Sequence, residues 1–318
     1  MKKVLITGAS GFVGGYLAEY LLSSHEFEIH GTYHSDESLQ SSPVKDRIQF
    51  HHTNLEQKES ITSLIQEVKP EFIFHLAAQA NVPASFKDPI KTFHANIDSQ
   101  VYLLDALRSA DMFDTRVLIV GSAEEYGYVT PEELPINELT PLRPANPYSV
   151  SKIAQDYLAL QYVISYKMPL IRVRPFNHIG PRQKTGFVTT DFAKQIAMIE
   201  KGEMEPVIKV GNLEAKRDFT DVRDMVKAYA LLLQKGEVGE NYNIGSGTSH
   251  TIQEILDSFL TLAKVKITVE VDKEKLRPSD VPEIICDCKK MNKITGWEPE
   301  IPFEQTLKDI LDYWRKMV

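Results

Sequence analysis

Tyr148 and Lys152 stand four residues apart in the run Asn146-Pro147-Tyr148-Ser149-Val150-Ser151-Lys152. The run reads as a helix start, and at that spacing a phenol and an ammonium share one helical face. A tyrosine ionises near pH ~10 in water, and a neighbouring cation favours the phenolate and lowers that value. The pair therefore predicts a group that gives or takes a proton near neutral pH. Tyr-x-x-x-Lys also recurs on ordinary solvated helix faces, so the prediction depends on other segments bringing a hydride carrier and a substrate to the tyrosine.

A hydride carrier has a place at the start of the chain. The apolar run Val4-Leu5-Ile6-Thr7 leads into Gly8-Ala9-Ser10-Gly11-Phe12-Val13-Gly14 and then a helical pattern through Tyr16, Leu17, Tyr20 and Leu21. A strand, a glycine turn and a helix start let backbone N–H groups approach a pyrophosphate, where the helix dipole also favours an anion. NAD binders carry an acid about 20 residues past the glycines to hold the ribose 2′-hydroxyl. The second predicted strand, residues 27–33, instead ends Gly31-Thr32-Tyr33-His34-Ser35, with no acid before Asp36. That favours NADP(H) over NAD(H), although no arginine is present and His34 is a weak substitute. Asn54-Leu55, after a third strand at 48–50, offers a polar edge and an apolar face to an adenine.

Further apolar runs at 72–78 and 116–120 read as strands, and a long amphipathic helix is expected over residues 91–109. Strands alternating with helices at this rhythm predict an α/β fold with a doubly wound parallel sheet covered on both faces. Ligands then gather beyond the carboxyl ends of the strands. Leu76, Ala77 and Ala78 close one strand, Ser122 follows another, and Asn177 follows the strand at 170–174. From about Gly180 the alternation loosens, with helices expected at 191–201, 222–234, 252–263 and 303–318 and short strands at 207–210, 241–244 and 267–271. This half predicts a smaller lobe over the sheet edge.

The chain has 318 residues, 42% hydrophobic and 25% charged, the composition of an ordinary globular protein. No apolar run approaches the ~20 residues of a membrane span, and the start is broken too soon by glycine for a signal peptide. The expected location is cytoplasmic, without a membrane partner. A formal charge of -8 argues against a nucleic-acid surface while leaving room for a local basic pocket. Cys286 and Cys288, the only cysteines, read as free thiols, and no metal site is expected.

Thr7-Gly8-x-x-Gly11-x-x-Gly14, the His75-Leu76-Ala77-Ala78 strand end, Ser122 followed by Tyr126-Gly127, and Tyr148-x-x-x-Lys152 occur in one order. Together they resemble the extended short-chain dehydrogenase/reductase family over essentially the whole chain. The resemblance implies a Rossmann domain over residues 1–179 and a mainly nucleotide-sugar-binding domain over 180–318, with some segments returning to the sheet. It implies that Ser122 hydrogen-bonds the reacting oxygen, Tyr148 is the acid/base, and Lys152 holds the nicotinamide ribose while lowering the tyrosine's pKa. Implied cofactor contacts are Gly8, Gly11, Phe12, Val13, Gly14, His34, Asn54, Leu55, Leu76, Ala77, Ala78, Gln79 and Phe176, besides Tyr148 and Lys152. Hydride chemistry belongs to the cofactor.

The second half narrows the substrate. Arg174-Pro175-Phe176-Asn177-His178-Ile179-Gly180-Pro181-Arg182, Gly186-Phe187-Val188-Thr189, the stretch from Val210 to Phe219 and Leu276-Arg277-Pro278 carry arginines on separate loops. These could converge on a diphosphate, for which a guanidinium fork is well shaped, or form surface ion pairs. As a set these stretches resemble the branch that acts on GDP-sugars, and most closely the reductases of GDP-4-keto-6-deoxy-mannose that make GDP-rhamnose. The implied pocket residues are Ser85, Ala123, Glu124, Asn177, Val188, Lys209, Arg217 and Arg277. Gly8-Ala9-Ser10-Gly11 and Thr190-Asp191 depart from the GDP-mannose 4,6-dehydratases, whereas Glu124 stands where a dehydratase keeps its base. The expectation is NADPH-dependent reduction of a C4 ketone by a homodimer. A dehydratase, a nucleotide-sugar 4-epimerase and a non-catalytic NADP sensor are the alternatives.

Overall fold

The computed structural model describes residues 1–272 and 281–318. Its centre is a seven-stranded sheet in which every neighbouring pair is parallel. The chain enters it through β1 (Lys2–Thr7), α1 (Phe12–Ser23), β2 (Phe27–Tyr33), β3 (Gln49–His52), α2 (Lys58–Val68) and β4 (Phe72–His75). It continues through α3 (Ser99–Ser109), β5 (Arg116–Val120), α4 (Pro147–Tyr166) and β6 (Leu170–Pro175). Side chains alternate across the strands, so β1 sends Val4 and Ile6 to one face and Leu5 to the other. The first pair packs with Leu17 and Leu21 of α1, and Leu5 packs with Ile65 of α2, Leu104 of α3 and Ala159 of α4. Both faces are thereby covered, as a parallel sheet requires.

The rest of the chain forms β7 (Asn177–Ile179), α5 (Val188–Lys201), β8 (Val207–Val210), β9 (Lys216–Asp221), α6 (Val222–Lys235), β10 (Asn241–Ile244) and β11 (Ser249–Thr251). It ends with α7 (Ile252–Leu262), β12 (Thr268–Val271), β13 (Glu283–Ile284) and α8 (Phe303–Met317). Phe192, Ile196, Ile208, Phe259, Leu307 and Ile310 make a separate core here. Two elements leave this half for the sheet. β10 lies beside β6, giving the strand order β10-β6-β5-β4-β1-β2-β3, and Met225 and Tyr229 of α6 join the apolar cluster of α1.

The helix expected over residues 91–109 is three pieces. A short helix at Pro89–Phe93 and α3 flank a π-helical turn, His94–Asp98. The wider turn carries the fully buried Asn96, whose Oδ1 accepts Gln79 N–H at 2.7 Å and whose Nδ2 donates to Ser151 Oγ at 2.8 Å. Such turns mark functional positions in helices, where one polar group must reach inward.

Candidate active site

Gly8 follows β1 with φ +72° and donates its N–H to Thr32 Oγ1 at 2.9 Å, while Gly11 N–H closes the turn on Gly8 O at 2.9 Å. Gly11 is the N-cap of α1 and provides no capping side chain. The first-turn N–H groups have no acceptor within a helix, so those of Phe12 and Val13 are open to an anion. A Cβ on Gly14 would lie 2.7 Å from Ala9 Cα, and one on Gly8 would lie 3.2 Å from Ala77 Cα. The turn is thus packed tightly enough to let a pyrophosphate reach backbone. The residues present fit a dinucleotide.

β5 runs into Ser122, which caps the 3-10 turn Ala123–Glu125. Its Oγ accepts Glu124 N–H at 3.2 Å, leaving the hydroxyl proton to be donated outward. Across from it α4 opens at Asn146, whose Oδ1 accepts Ser149 N–H at 2.8 Å, with Pro147 in the first turn. Tyr148 follows, buried, with the Ser122 side chain among the groups that act on its phenol. Lys152, one turn on, stands 5.9 Å from the Tyr148 ring centroid. Its Nζ donates to Val120 O at 2.8 Å and to Gln155 Oε1 at 2.9 Å.

The expected lowering of the Tyr148 pKa is corrected by the structure. Burial pushes the phenol well above its ordinary value and outweighs the lowering by the Ser122 side chain, with Glu124 and Glu125 adding to the rise. Lys152 is itself desolvated, which brings it down to about 8, and its ammonium points at the Val120 carbonyl. Charge spacing on a helix does not report desolvation, which is the larger effect here. Tyr148 is accordingly a protonated phenol through the neutral range, the form a proton donor needs.

Beside Lys152, His75 ends β4 fully buried. Thr7 Oγ1 accepts N–H groups from Leu76 and Ala77, both at 3.1 Å, so its proton goes to His75 Nδ1 at 3.0 Å. The imidazole is therefore neutral with its proton on Nε2. Burial, reinforced by Lys152, lowers its pKa to about 3. The unfolded chain then binds a proton that the folded chain does not between the two pKa values. The associated stability is present above pH ~6.5 and is lost as pH falls towards 3. Replacing His75 with Gln should flatten the acid limb of a stability-against-pH curve by up to about one proton. An unchanged slope between pH 6.5 and 4 would contradict the assignment.

The remaining nominated residues divide. Leu76, Ala77 and Ala78 are half-buried at the end of β4 beside the glycine turn, and Asn54 and Leu55 follow β3. His34 is exposed after β2, next to Ser35 and close in sequence to Ser38, whose hydroxyl accepts from Ser10 at 3.1 Å. Ser35 caps the short helix Asp36–Gln40. Gln79 Nε2 is held by Asn81 O and Thr92 Oγ1. Ser85 is fully buried and donates to Val82 O at 2.7 Å, because it lies on the inward side of the short helix Val82–Lys87. Phe176 packs behind Tyr126 with 2% of its surface exposed, so its side chain is a wall of the core.

Glu124, half-buried beside Ala123, accepts Asn146 Nδ2 at 3.1 Å. Asn177 starts β7 opposite Phe219 of β9, two positions from Arg217, whose Nη1 donates to Val281 O at 2.7 Å. Val188 opens α5, and Lys209 is exposed on β8. Arg277 lies outside the described residues. Arg182 turns to α1, where it pairs with Glu19 at 2.7 Å and lies 3.6 Å over the Tyr16 ring, which decides its two readings for the ion pair.

A parallel sheet with a glycine turn at β1, and a serine, tyrosine and lysine gathered beyond β5, define a Rossmann-type enzyme of the extended short-chain dehydrogenase/reductase class. Within it the chain belongs to the GDP-mannose 4,6 dehydratase family, whose model matches residues 5–310. It is 35% identical to the GDP-6-deoxy-D-mannose reductase of Pseudomonas aeruginosa over 100% of this chain and 98% of that one. It is 31% identical to GDP-mannose 4,6 dehydratase 2 of Arabidopsis thaliana, over 98% and 86% of the two chains. The solved structure of RMD from Pseudomonas aeruginosa complexed with NADPH superposes with a TM-score of 0.88, 35% identity and full coverage of both chains. UDP-glucose 4-epimerase of Thermus thermophilus in complex with NAD gives 0.87 at 28% identity, covering 99% and 100%.

Proposed function

We propose that this protein is a reductase that converts the C4 ketone of a GDP-4-keto-6-deoxy-hexose to an alcohol, giving a GDP-6-deoxy sugar of the GDP-rhamnose type. The observation that carries the reading is the buried Tyr148, acted on by Ser122 and with Lys152 5.9 Å from its ring, in a chain similar along its length to an NADPH-bound structure. NADPH, bound, supplies the hydride. Tyr148 gives its proton to the ketone oxygen, and Ser122 donates a hydrogen bond to that oxygen as negative charge develops on it, an oxyanion role. Lys152 holds the nicotinamide ribose. The open N–H groups of Phe12 and Val13 take the pyrophosphate, and the strand end at His34, free of a carboxylate before Asp36, suits the 2′-phosphate.

Ala123, Glu124, Asn177, Val188, Lys209, Arg217 and Arg277 form the nucleotide-sugar pocket in this reading. Residues 1–179 bind the cofactor and 180–318 mainly the sugar nucleotide. The protein works as a cytoplasmic homodimer. Val150, Tyr157 and Ile164 make an exposed apolar row at seven-residue spacing along α4, flanked by exposed Phe86 and Ile90. Free thiols at Cys286 and Cys288 suit a reducing compartment. Among the described residues no helix is long and apolar enough to cross a membrane.

The test adds purified protein to NADPH and freshly generated GDP-4-keto-6-deoxymannose and follows the absorbance of the reduced cofactor, with GDP-mannose in parallel. Stoichiometric loss of NADPH with the keto sugar alone is expected. The second reading is GDP-mannose 4,6-dehydration, favoured by Glu124, and conversion of GDP-mannose without net NADPH consumption would establish it instead.

A further inference from the structure

Arg174, on β6, is 3% exposed and reaches two other elements at once. Its Nε donates to Glu125 Oε2 at 2.8 Å and its Nη2 to Asp156 Oδ2. Glu125 sits in the turn that begins at Ser122, and its Oε1 accepts the Ser122 N–H at 2.8 Å. Asp156 sits on α4 four residues beyond Lys152 and eight beyond Tyr148, in the same row of the helix. One guanidinium therefore ties the turn that holds the serine to the helix that holds the tyrosine.

The surroundings tighten this tie. Asp156 Oδ1 is taken by Arg172 Nη1 at 2.9 Å, and Arg174 Nη1 donates to the Tyr126 hydroxyl at 3.1 Å, which in turn donates to Asn243 Oδ1 at 2.6 Å. A Cβ on Gly121 would collide with the Glu125 carboxylate, so the strand end is built around that group. Buried ion pairs add little net stability compared with apolar side chains of the same volume, whereas a planar fork fixes two partners in direction as well as distance.

We propose that Arg174, held between Glu125 and Asp156, is a positioning residue that sets the Ser122 hydroxyl against the Tyr148 hydroxyl for ketone reduction. The proposal rests on the reductase reading. Lysine at position 174 keeps the charge and loses the fork, so the two hydroxyls drift apart while the cofactor and sugar sites stay intact.

Arg174→Lys and the double variant Glu125→Leu/Arg174→Met are compared with the parent for kcat, KM, NADPH affinity and Tm. Both should lose on the order of 100-fold in kcat, as small misplacements of reacting groups do. KM and NADPH affinity should stay within about threefold, and the double variant, which removes one positive and one negative buried charge together and keeps the Asp156–Arg172 pair, should stay folded with a Tm no lower than that of Arg174→Met alone. A folded double variant with parental kcat would overturn the proposal, as would a loss confined to KM. If the parent fails to reduce the keto sugar, the reductase reading falls. The clamp is then judged on the Ser122 to Tyr148 hydroxyl separation in crystals of Arg174→Lys, where an unchanged separation overturns it.

Discussion

Tyr148→Phe should lower turnover about 10²- to 10⁴-fold, the usual range for loss of a positioned acid, while leaving NADPH affinity within about twofold. The ring is buried with 7% of its surface exposed, and phenylalanine fills the same space, so the fold has no reason to change. What disappears is the proton for the ketone oxygen. Ser122 remains to stabilise the developing charge, which is why residual turnover should exceed that of a Ser122→Ala/Tyr148→Phe double variant. Single-turnover rates with the keto sugar, read beside fluorescence titration of NADPH, separate the two effects. Full turnover in Tyr148→Phe would remove this tyrosine as the acid and direct attention to Glu124.

The second large effect belongs to Gly14. Alanine there would place its Cβ on the Gly8 carbonyl, 2.7 Å from Ala9 Cα and 2.9 Å from Gly8 C. All three are backbone atoms, which cannot rotate away as a side chain would. α1 must then withdraw from the end of β1, and the open N–H groups of Phe12 and Val13 move with it. We expect Gly14→Ala to weaken NADPH binding about 100-fold or more, since the anion contacts are lost together, and to cost about 1–3 kcal/mol of stability as an overpacked site. Gly202 provides the contrast. It ends α5 with φ +80° and nothing within 4 Å of a built Cβ, so alanine there strains only its own backbone. Gly202→Ala should lower Tm modestly and leave NADPH titrations unchanged. Equal NADPH affinity in parent and Gly14→Ala would show that the cofactor does not use this turn.

Several strands were legible to the residue. Residues 27–33, 116–120, 207–210 and 241–244 have the bounds expected; Arg116–Val120 is the clearest case, an apolar run of the kind that a sheet buried on both faces demands. The placing of Tyr148 and Lys152 on one helix, and of Ser122 at the end of a strand, was legible because it depends on type, spacing and order. What escaped was whatever depends on burial. Glu125, Arg174 and Asp156 lie within patterns that would read as solvated, yet each is at most 3% exposed. The direction of the Tyr148 shift escaped for the same reason, since four-residue spacing places a lysine nearby but says nothing of where its ammonium is drawn. Asn96 was hidden because one extra residue in a helical turn leaves the apolar period nearly intact on either side.

The strand that returns late in the chain limits how relatives of this protein can be recombined. Asn241 to Ile244 pair with Arg172 to Pro175, and Asn243 also receives the Tyr126 hydroxyl. A chimera made by cutting near residue 180 and attaching another enzyme's C-terminal half would import a foreign edge for the sheet and a foreign partner for Tyr126. Grafts that keep residues 222–244 with the first half, and exchange only what flanks them, would preserve both. The second half of this architecture is therefore exchangeable as two separate inserts rather than as one contiguous block.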